Sequence, residues 1–286
     1  MRDCVRQSEY FRKTGKEMTV DNKFILRKLQ NLKNATIVFS SVTKHPFVIC
    51  DEETYDDELL LFADVKEMQE AVKPYVAEGY MLHGVTVPQD KLAKFLSECF
   101  SLGVNQLIFH ENGTRFSVSL NKIVIRPDYS KLPQEKRPLL NPQLQLSVLY
   151  FLQELSRRIP EDKRDQEHLK ELEEELAANM AKAQFLVPIK LNEPLKPGEK
   201  LEPGKFHLTM VNTKEGEQFL PVFADVMEYS LFNKENQYQG ILMTIENLRQ
   251  LIKDSCKGLM LNPNSIGLRL NAKMVDGILQ RFFEFE

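Results

Sequence analysis

Gln218-Phe219-Leu220-Pro221-Val222-Phe223-Ala224-Asp225-Val226-Met227-Glu228-Tyr229 is the stretch that decides the fold. It predicts a short apolar strand that turns directly into a helix, with Asp225 as the helix N-cap. An earlier stretch, Leu60-Leu61-Phe62-Ala63-Asp64-Val65-Lys66-Glu67-Met68, repeats Phe-Ala-Asp-Val and places Asp64 at the same position. In each copy the aromatic residue closes the strand against the core, and the small residue allows a sharp turn. The chain therefore contains the same strand-turn-helix pattern twice.

The elements predicted around these two stretches follow one order twice: helix, three strands, short helix, strand, amphipathic helix, two strands and short helix. At a constant offset of 156, the apolar residues of the two amphipathic helices match, with Leu92, Phe95 and Leu96 corresponding to Leu248, Leu251 and Ile252. This order predicts an α+β fold made of two related modules in tandem. Each module is expected to be a mostly antiparallel sheet with packed helices.

Length and proline content suggest where the chain divides. Because 286 residues exceed one ordinary domain, two domains are expected. Four prolines in the stretch from Arg126 to Pro142, with Pro142 counted among them, predict an extended linker over residues 127–140. The predicted parts are a flexible tail over 1–18, one module over 19–126, this linker, and a second module over 141–286. Two amphipathic helices in succession predict that the second module opens with a helical hairpin.

The composition limits the kinds of partner that the chain is expected to bind. Hydrophobic residues make up 42% and charged residues 28%, a balance typical of globular proteins. The formal net charge of −3 argues against a general affinity for nucleic acid or anionic membranes. The polar N-terminus lacks an apolar signal segment, and no apolar run reaches the roughly 20 residues of a membrane helix. We therefore expect a cytoplasmic protein that binds neither nucleic acid nor membrane.

One loop is strongly acidic. Six of the eight residues from position 51 to 58 are acids, namely Asp51, Glu52, Glu53, Asp56, Asp57 and Glu58. The run lacks the spacing of a calcium-binding loop, so we predict no metal site there. A solvated hairpin loop is the simplest interpretation, and such a loop is also a candidate surface for a basic partner.

The sequence shows no arrangement typical of catalysis or of cofactor binding. Glycine-rich phosphate loops, dinucleotide fingerprints, zinc-protease motifs and serine-nucleophile motifs are all absent. His83 and His110 could meet across adjacent strands, but no cysteine or acid joins them at metal-binding spacing. Cys99 and Cys256 follow predicted helices, where the negative end of the helix dipole disfavours a reactive thiolate. We predict no catalytic residue, no cofactor and no metal.

Three segments in the second half together resemble a known family. Phe185-Leu186-Val187-Pro188-Ile189, the stretch from Phe219 to Asp225, and Gly258-Leu259-Met260-Leu261-Asn262-Pro263 occur in that order at fitting distances. Over about residues 180–275 the chain resembles the SseB (enhanced serine sensitivity) family of bacteria. The resemblance implies a bacterial cytosolic α+β protein, and it brings no catalytic residues. The residues that match the family pattern are expected to be structural; they are Pro221, Phe223, Asp225, Asn262 and Pro263.

Two functional hypotheses stand first from the sequence, and an enzyme with an unfamiliar site is a third. The first is a non-enzymatic interaction or adaptor protein, which uses the acidic loop or the charged helical hairpin to bind a protein partner. The second is a sensor of an amino acid or other metabolite, with a pocket between the two modules. The family name records a serine-sensitivity phenotype and a loose association with rhodanese-type sulfurtransferases, and neither amounts to a reaction.

Overall fold

The computed structural model of the chain describes residues 22–193, 204–253 and 256–283. The predicted flexible tail over residues 1–18 lies outside these ranges. Within them the protein is α+β, as predicted, because helices pack with sheets that are mostly antiparallel. None of the helices in the described ranges is long and apolar enough to cross a membrane.

The first sheet has six strands. They are β1 (Asn34–Ser40), β2 (Val48–Cys50), β3 (Asp57–Phe62), β4 (Leu82–Pro88), β5 (Gln106–Glu111) and β6 (Thr114–Ser119). Their order is β4-β1-β3-β5-β6, and β2 pairs with β3 beside this path. The β3–β5 pair is parallel, whereas the other pairs are antiparallel. The turn between β5 and β6 has positive φ at Asn112 and Gly113, as the Asn-Gly hairpin signal predicts.

Four α-helices accompany this sheet. They are α1 (Asn22–Asn31), α2 (Val65–Ala71), α3 (Lys73–Ala77) and α4 (Gln89–Glu98). Three aromatic rings contact one another edge to face in the core of this unit. The ring centroid of Phe47 lies 5.4 Å from that of Tyr75 and 5.2 Å from that of Tyr80. All three aromatic residues belong to the buried apolar cluster of this unit.

The second half of the chain contains seven further strands. They are β7 (Gln184–Leu191), β8 (Phe206–Leu208), β9 (Val211–Asn212), β10 (Gln218–Val222), β11 (Gln239–Thr244), β12 (Gly258–Leu261) and β13 (Leu268–Asn271). They form one sheet in the order β13-β12-β10-β9 and another in the order β11-β7-β8. A bridge between Leu186 and Phe223 joins the two sheets through a pair of backbone hydrogen bonds of 3.0 and 2.9 Å.

The remaining α-helices are longer on average. They are α5 (Pro142–Leu155), α6 (Gln166–Lys182), α7 (Val226–Phe232), α8 (Ile245–Leu251) and α9 (Ala272–Phe283). Helices α5 and α6 follow one another in the chain, and their packing as a helical hairpin remains a prediction. Helix α9 begins where the Asn271 side chain accepts the N–H of Met274, which caps the helix.

The two halves share one strand order. Through the Leu186–Phe223 bridge, the second half reads β11-β7-β10-β12-β13, which corresponds to β4-β1-β3-β5-β6 in the first. In each half the third and fourth strands of this series are parallel. These correspondences agree with the proposal of tandem related modules, which remains a prediction.

A glycine occupies the same place in each edge strand. A Cβ atom added to Gly84 on β4 would lie 2.5 Å from the Met68 side chain, and one added to Gly240 on β11 would lie 3.3 Å from the Tyr229 ring. Met68 and Tyr229 each come four residues after the capping aspartate of their helix. In both halves the short helix therefore packs closely against the glycine of the edge strand.

Residues that lie close together in space group the chain into two compact units, whose boundaries differ from those of the predicted domains. The first unit takes in the described residues up to Lys131 together with Gln145–Glu174, and the second takes in Leu132–Leu144 and the described residues from Glu175 onwards. Residues of α5 join the first unit because the Gln153 amide bonds both the N–H and the C=O of Val48, at 3.2 and 2.9 Å. The predicted boundaries at 126 and 141 remain a prediction about independent folding.

Candidate functional site

The acidic loop between β2 and β3 has a fixed internal structure. Asp51 is buried, and its Oδ1 accepts the N–H groups of Glu53 and Thr54 at 2.9 and 3.0 Å. Its own N–H donates to the carbonyl of Asp56 at 2.8 Å, which closes the loop. Asp51 therefore holds the turn and presents little of its charge to solvent.

The other end of the loop is anchored by polar side chains. Asp56 Oδ1 accepts the Asn105 amide at 2.8 Å, and Asp57 Oδ1 accepts the Tyr150 hydroxyl at 2.7 Å. Tyr150 belongs to α5, so a helix distant in sequence helps to position this loop. These two carboxylates have partners within the first unit.

Glu58 forms an ion pair in the interior. Its carboxylate lies 3.3 Å from Arg115 Nη2 across the sheet, and the two side chains are only 9% and 10% exposed. The six acids that the sequence groups as one candidate surface are thus distributed differently: Glu53 is exposed, Glu52, Asp56 and Asp57 are partly buried, and Asp51 and Glu58 are buried. Whether this loop binds a partner stays a prediction.

The apex of the loop carries an exposed aromatic residue. Tyr55 has positive φ (58°) and is 74% exposed, between Thr54 and Asp56. A cavity of about 300 Å³ lies beside the apex, lined partly by Glu53, Glu58 and Arg115. The loop therefore presents a large ring at its apex and an acidic cavity next to it.

His110 lies on β5, directly opposite Arg115 on β6. Its imidazole stacks on the ring of Phe62, with centroids 4.5 Å apart. Burial and the positive charge of Arg115 lower the pKa of His110 to about 4. His83 does not meet His110, because β1 and β3 separate their strands.

As the pH drops from 6.5 to 4, the pKa difference of His110 between the folded and unfolded states is expected to lower the free energy of unfolding by about 3 kcal/mol. The unfolded histidine takes up a proton near pH 6.5, whereas the folded one stays neutral until about pH 4. Proton uptake therefore favours the unfolded state across this window. Urea unfolding at pH values from 7 to 4 measures this loss of stability. In a His110→Gln variant the total loss over the range should be smaller by this amount. Equal losses in both proteins would contradict the prediction.

The family-pattern residues of the second unit form a buried polar cluster. Asn262 is fully buried with positive φ (47°), and its Oδ1 accepts the N–H of Ala224 at 3.0 Å. Asn141 donates to the carbonyl of the same Ala224 at 2.7 Å. Two asparagines that lie far apart in the chain therefore satisfy the backbone of the sharp turn after β10.

The helix that follows this turn is capped from within the same cluster. Asp225 accepts the N–H of Glu228 at 2.8 Å, as the sequence predicts for an N-cap. The Glu228 carboxylate accepts the Ser265 hydroxyl at 2.7 Å, and both acids are buried. In the first unit, Asp64 caps α2 in the same way through the N–H groups of Lys66 and Glu67.

The other family-pattern residues have structural surroundings. Phe223 is buried against Phe232, with ring centroids 5.1 Å apart, and Pro221 lies opposite Met260 in the parallel pair. Pro263 follows Asn262 in the turn after β12. These contacts are those of a packed apolar core and a turn. The Asp-x-x-Glu spacing at Asp225 and Glu228 is a capping-box signal, whereas nothing in the sequence indicates Asn141 or Ser265.

Reactive groups are not gathered into one place in the described ranges. No group of three or more histidine, cysteine or acidic residues is suited to hold a metal ion there. Burial raises the pKa of the Cys99 thiol far above its usual range, so this thiol stays protonated. The Cys256 thiol is buried and lies 3.2 Å from the carbonyl of Gly258.

Residues 162–276 match the family model described as the SseB protein N-terminal domain. The resemblance to the SseB family is confirmed over this range. The SseB match covers the capped turn after β10 and the parallel pair of β10 and β12, together with the buried polar cluster apart from Asn141.

Comparison with solved structures finds two Tic22 proteins. One is described as Anabaena Tic22 (protein transport), with 9% identity and a TM-score of 0.19, covering 84% of this chain and 93% of that one. The other is Tic22 from Plasmodium falciparum, with 11% identity and a TM-score of 0.19, covering 90% and 96%. Similarities of this size do not bear on the function of this chain. No curated protein matches the sequence.

Proposed function

We propose that this protein is a non-enzymatic interaction protein, and that the loop from Asp51 to Glu58 binds a basic segment of a partner protein. The observation that carries the proposal is the exposed ring of Tyr55 on a loop that internal hydrogen bonds hold in place. Tyrosine gives a large contact area at a low cost in conformational entropy, which suits it to anchor an interface.

The electrostatics of the loop support a basic partner. Glu53 is exposed beside Tyr55, and Asp56 lines the same cavity. Carboxylates around an apolar anchor attract lysine and arginine and speed association at moderate salt. The buried Glu58–Arg115 pair beneath them fixes the floor of the cavity and contributes little net charge.

A double variant, Glu53→Lys with Tyr55→Ala, is expected to lose the partner. Full-length chains serve as baits in native lysate at moderate salt, and bound proteins are identified by mass. A stoichiometric partner should be retained by the wild type and by a control with the exposed Glu135→Lys, and should be at least about tenfold depleted with the double variant. Equal recovery on all three baits would contradict the role of the loop.

The second candidate is a small-molecule sensor. The sequence places its pocket between the two modules, whereas we propose the cavity of about 300 Å³ at the acidic loop, whose volume is at the lower end of ligand pockets. Thermal unfolding of the purified chain with single amino acids, serine included, separates the two candidates. A ligand that stabilises the chain in proportion to its concentration would favour the sensor. The cytoplasmic location and the absence of nucleic-acid binding stay predictions.

A further inference from the structure

Strand β11 is an open edge of the second unit. It pairs with β7 along its length, and no strand within the described ranges pairs with its other side. Every residue of β11 is partly or fully exposed. An edge of this kind presents unpaired backbone groups to whatever approaches it.

The register shows which backbone groups face outward. Leu186 of β7 bonds Phe223, on the side away from β11. Because backbone groups alternate along an antiparallel ladder, Val187 of β7 faces Ile241 of β11. The N–H and C=O groups of Gly240 and Leu242 therefore point away from the sheet.

The side chains of β11 lack the usual protection of an edge. Its sequence, Gln-Gly-Ile-Leu-Met-Thr, contains no charged residue and no proline. Leu242 is 55% exposed, although it sits in the middle of the strand. Natural sheets commonly protect an edge of this length with lysine, proline or a bulge. By contrast, the edge strand β4 contains His83 and ends at Pro88.

We infer that the outer edge of β11 binds an extended segment of a partner polypeptide as an added strand. An extended chain is the occupant that matches alternating outward N–H and C=O groups, and an apolar residue next to Leu242 would add side-chain contact. The inference rests on the proposed interaction role but not on the acidic loop, so the two sites are separable by mutation.

The sharpest variant removes one outward donor together with the exposed leucine side chain. In Leu242→Pro the lost N–H points away from β7, so the bonds within the sheet remain, and proline is tolerated on such an edge. Thr86→Pro is the matched control, because Thr86 of β4 pairs with Thr36 of β1 and also directs its backbone outward. Leu242→Lys is a second variant that keeps the backbone donor and adds a charge to the edge.

Selection of random dodecapeptides displayed on phage against the full-length chain tests the inference. We expect peptides with alternating apolar residues that bind the wild type and Thr86→Pro equally, and Leu242→Pro about tenfold more weakly. Bound peptide should also slow amide hydrogen exchange at Gly240 and Leu242 of the wild type, a result that depends on no variant.

Three results would overturn the inference. They are selected peptides that bind wild type, Leu242→Pro and Leu242→Lys equally, failure to select any peptide, and a dimer of the chain alone that Leu242→Pro dissociates. The last would assign the edge to a second copy. The Glu53→Lys, Tyr55→Ala variant should keep full peptide binding, so failure of the acidic-loop proposal and failure of this one are distinguishable.

Discussion

Replacing Arg115 by methionine is expected to lower the free energy of unfolding by about 3–5 kcal/mol. Methionine keeps most of the side-chain volume but removes the charge, which leaves the buried Glu58 carboxylate without the Arg115 guanidinium. The loss reflects the cost of burying the carboxylate without this ion pair, and it exceeds the net value of the pair. Urea unfolding at pH 7 measures it.

A double variant tests whether the buried charge of Glu58 causes the loss of stability. Adding Glu58→Gln to Arg115→Met removes the buried negative charge, so most of the lost stability should return. The exposed pair of Glu70 and Lys73 is a matched control, and Lys73→Met should cost less than about 1 kcal/mol. A double variant no more stable than Arg115→Met would show that the charge is not the cause.

Replacing Gly258 by alanine is expected to lower the free energy of unfolding by on the order of 4 kcal/mol, or to prevent folding. A Cβ atom at this position would lie 2.0 Å from the carbonyl oxygen of Leu270 on β13. Leu270 pairs with Leu259, the next residue of β12, so the obstacle is backbone held in a sheet ladder. The strand pair must separate to admit a methyl group.

A matched glycine distinguishes this close contact from backbone strain. Gly216 also has positive φ (80°), but a Cβ atom there would meet nothing within 4 Å. Gly216→Ala should therefore cost only the conformational strain, about 1–2 kcal/mol. Thermal and urea unfolding of the two variants provide the comparison, and equal losses would rule out the contact with β13 as the cause.

The capped turns could be predicted from the sequence because their interactions are local. Asp64 and Asp225 bond N–H groups two or three residues further along the chain, so the cap and its helix lie in one short window. Apolar spacing likewise predicts α4, where Leu92 and Leu96 are buried as expected. Such features depend on few residues and are little altered by the rest of the chain.

The acidic loop could not be understood from its sequence. Asp51 and Glu58 belong to one acidic run, yet each has a buried role that depends on a different partner. Arg115 lies 57 residues beyond Glu58, and only the pairing of β3, β5 and β6 brings the two together. A charge count over this short stretch of sequence treats all six acids alike, because it contains no information about burial.

The sequence alone determined the α+β class, the repeated strand-turn-helix pattern and the family resemblance, since each depends on short-range periodicity and on capping. Tertiary structure decided which strands pair, which acids are buried and which edge stays open. The open edge of β11 shows the difference, because the outward direction of Leu242 follows from its register with β7. Register depends on contacts between distant segments, and the residue pattern of a strand does not distinguish an edge strand from a central strand.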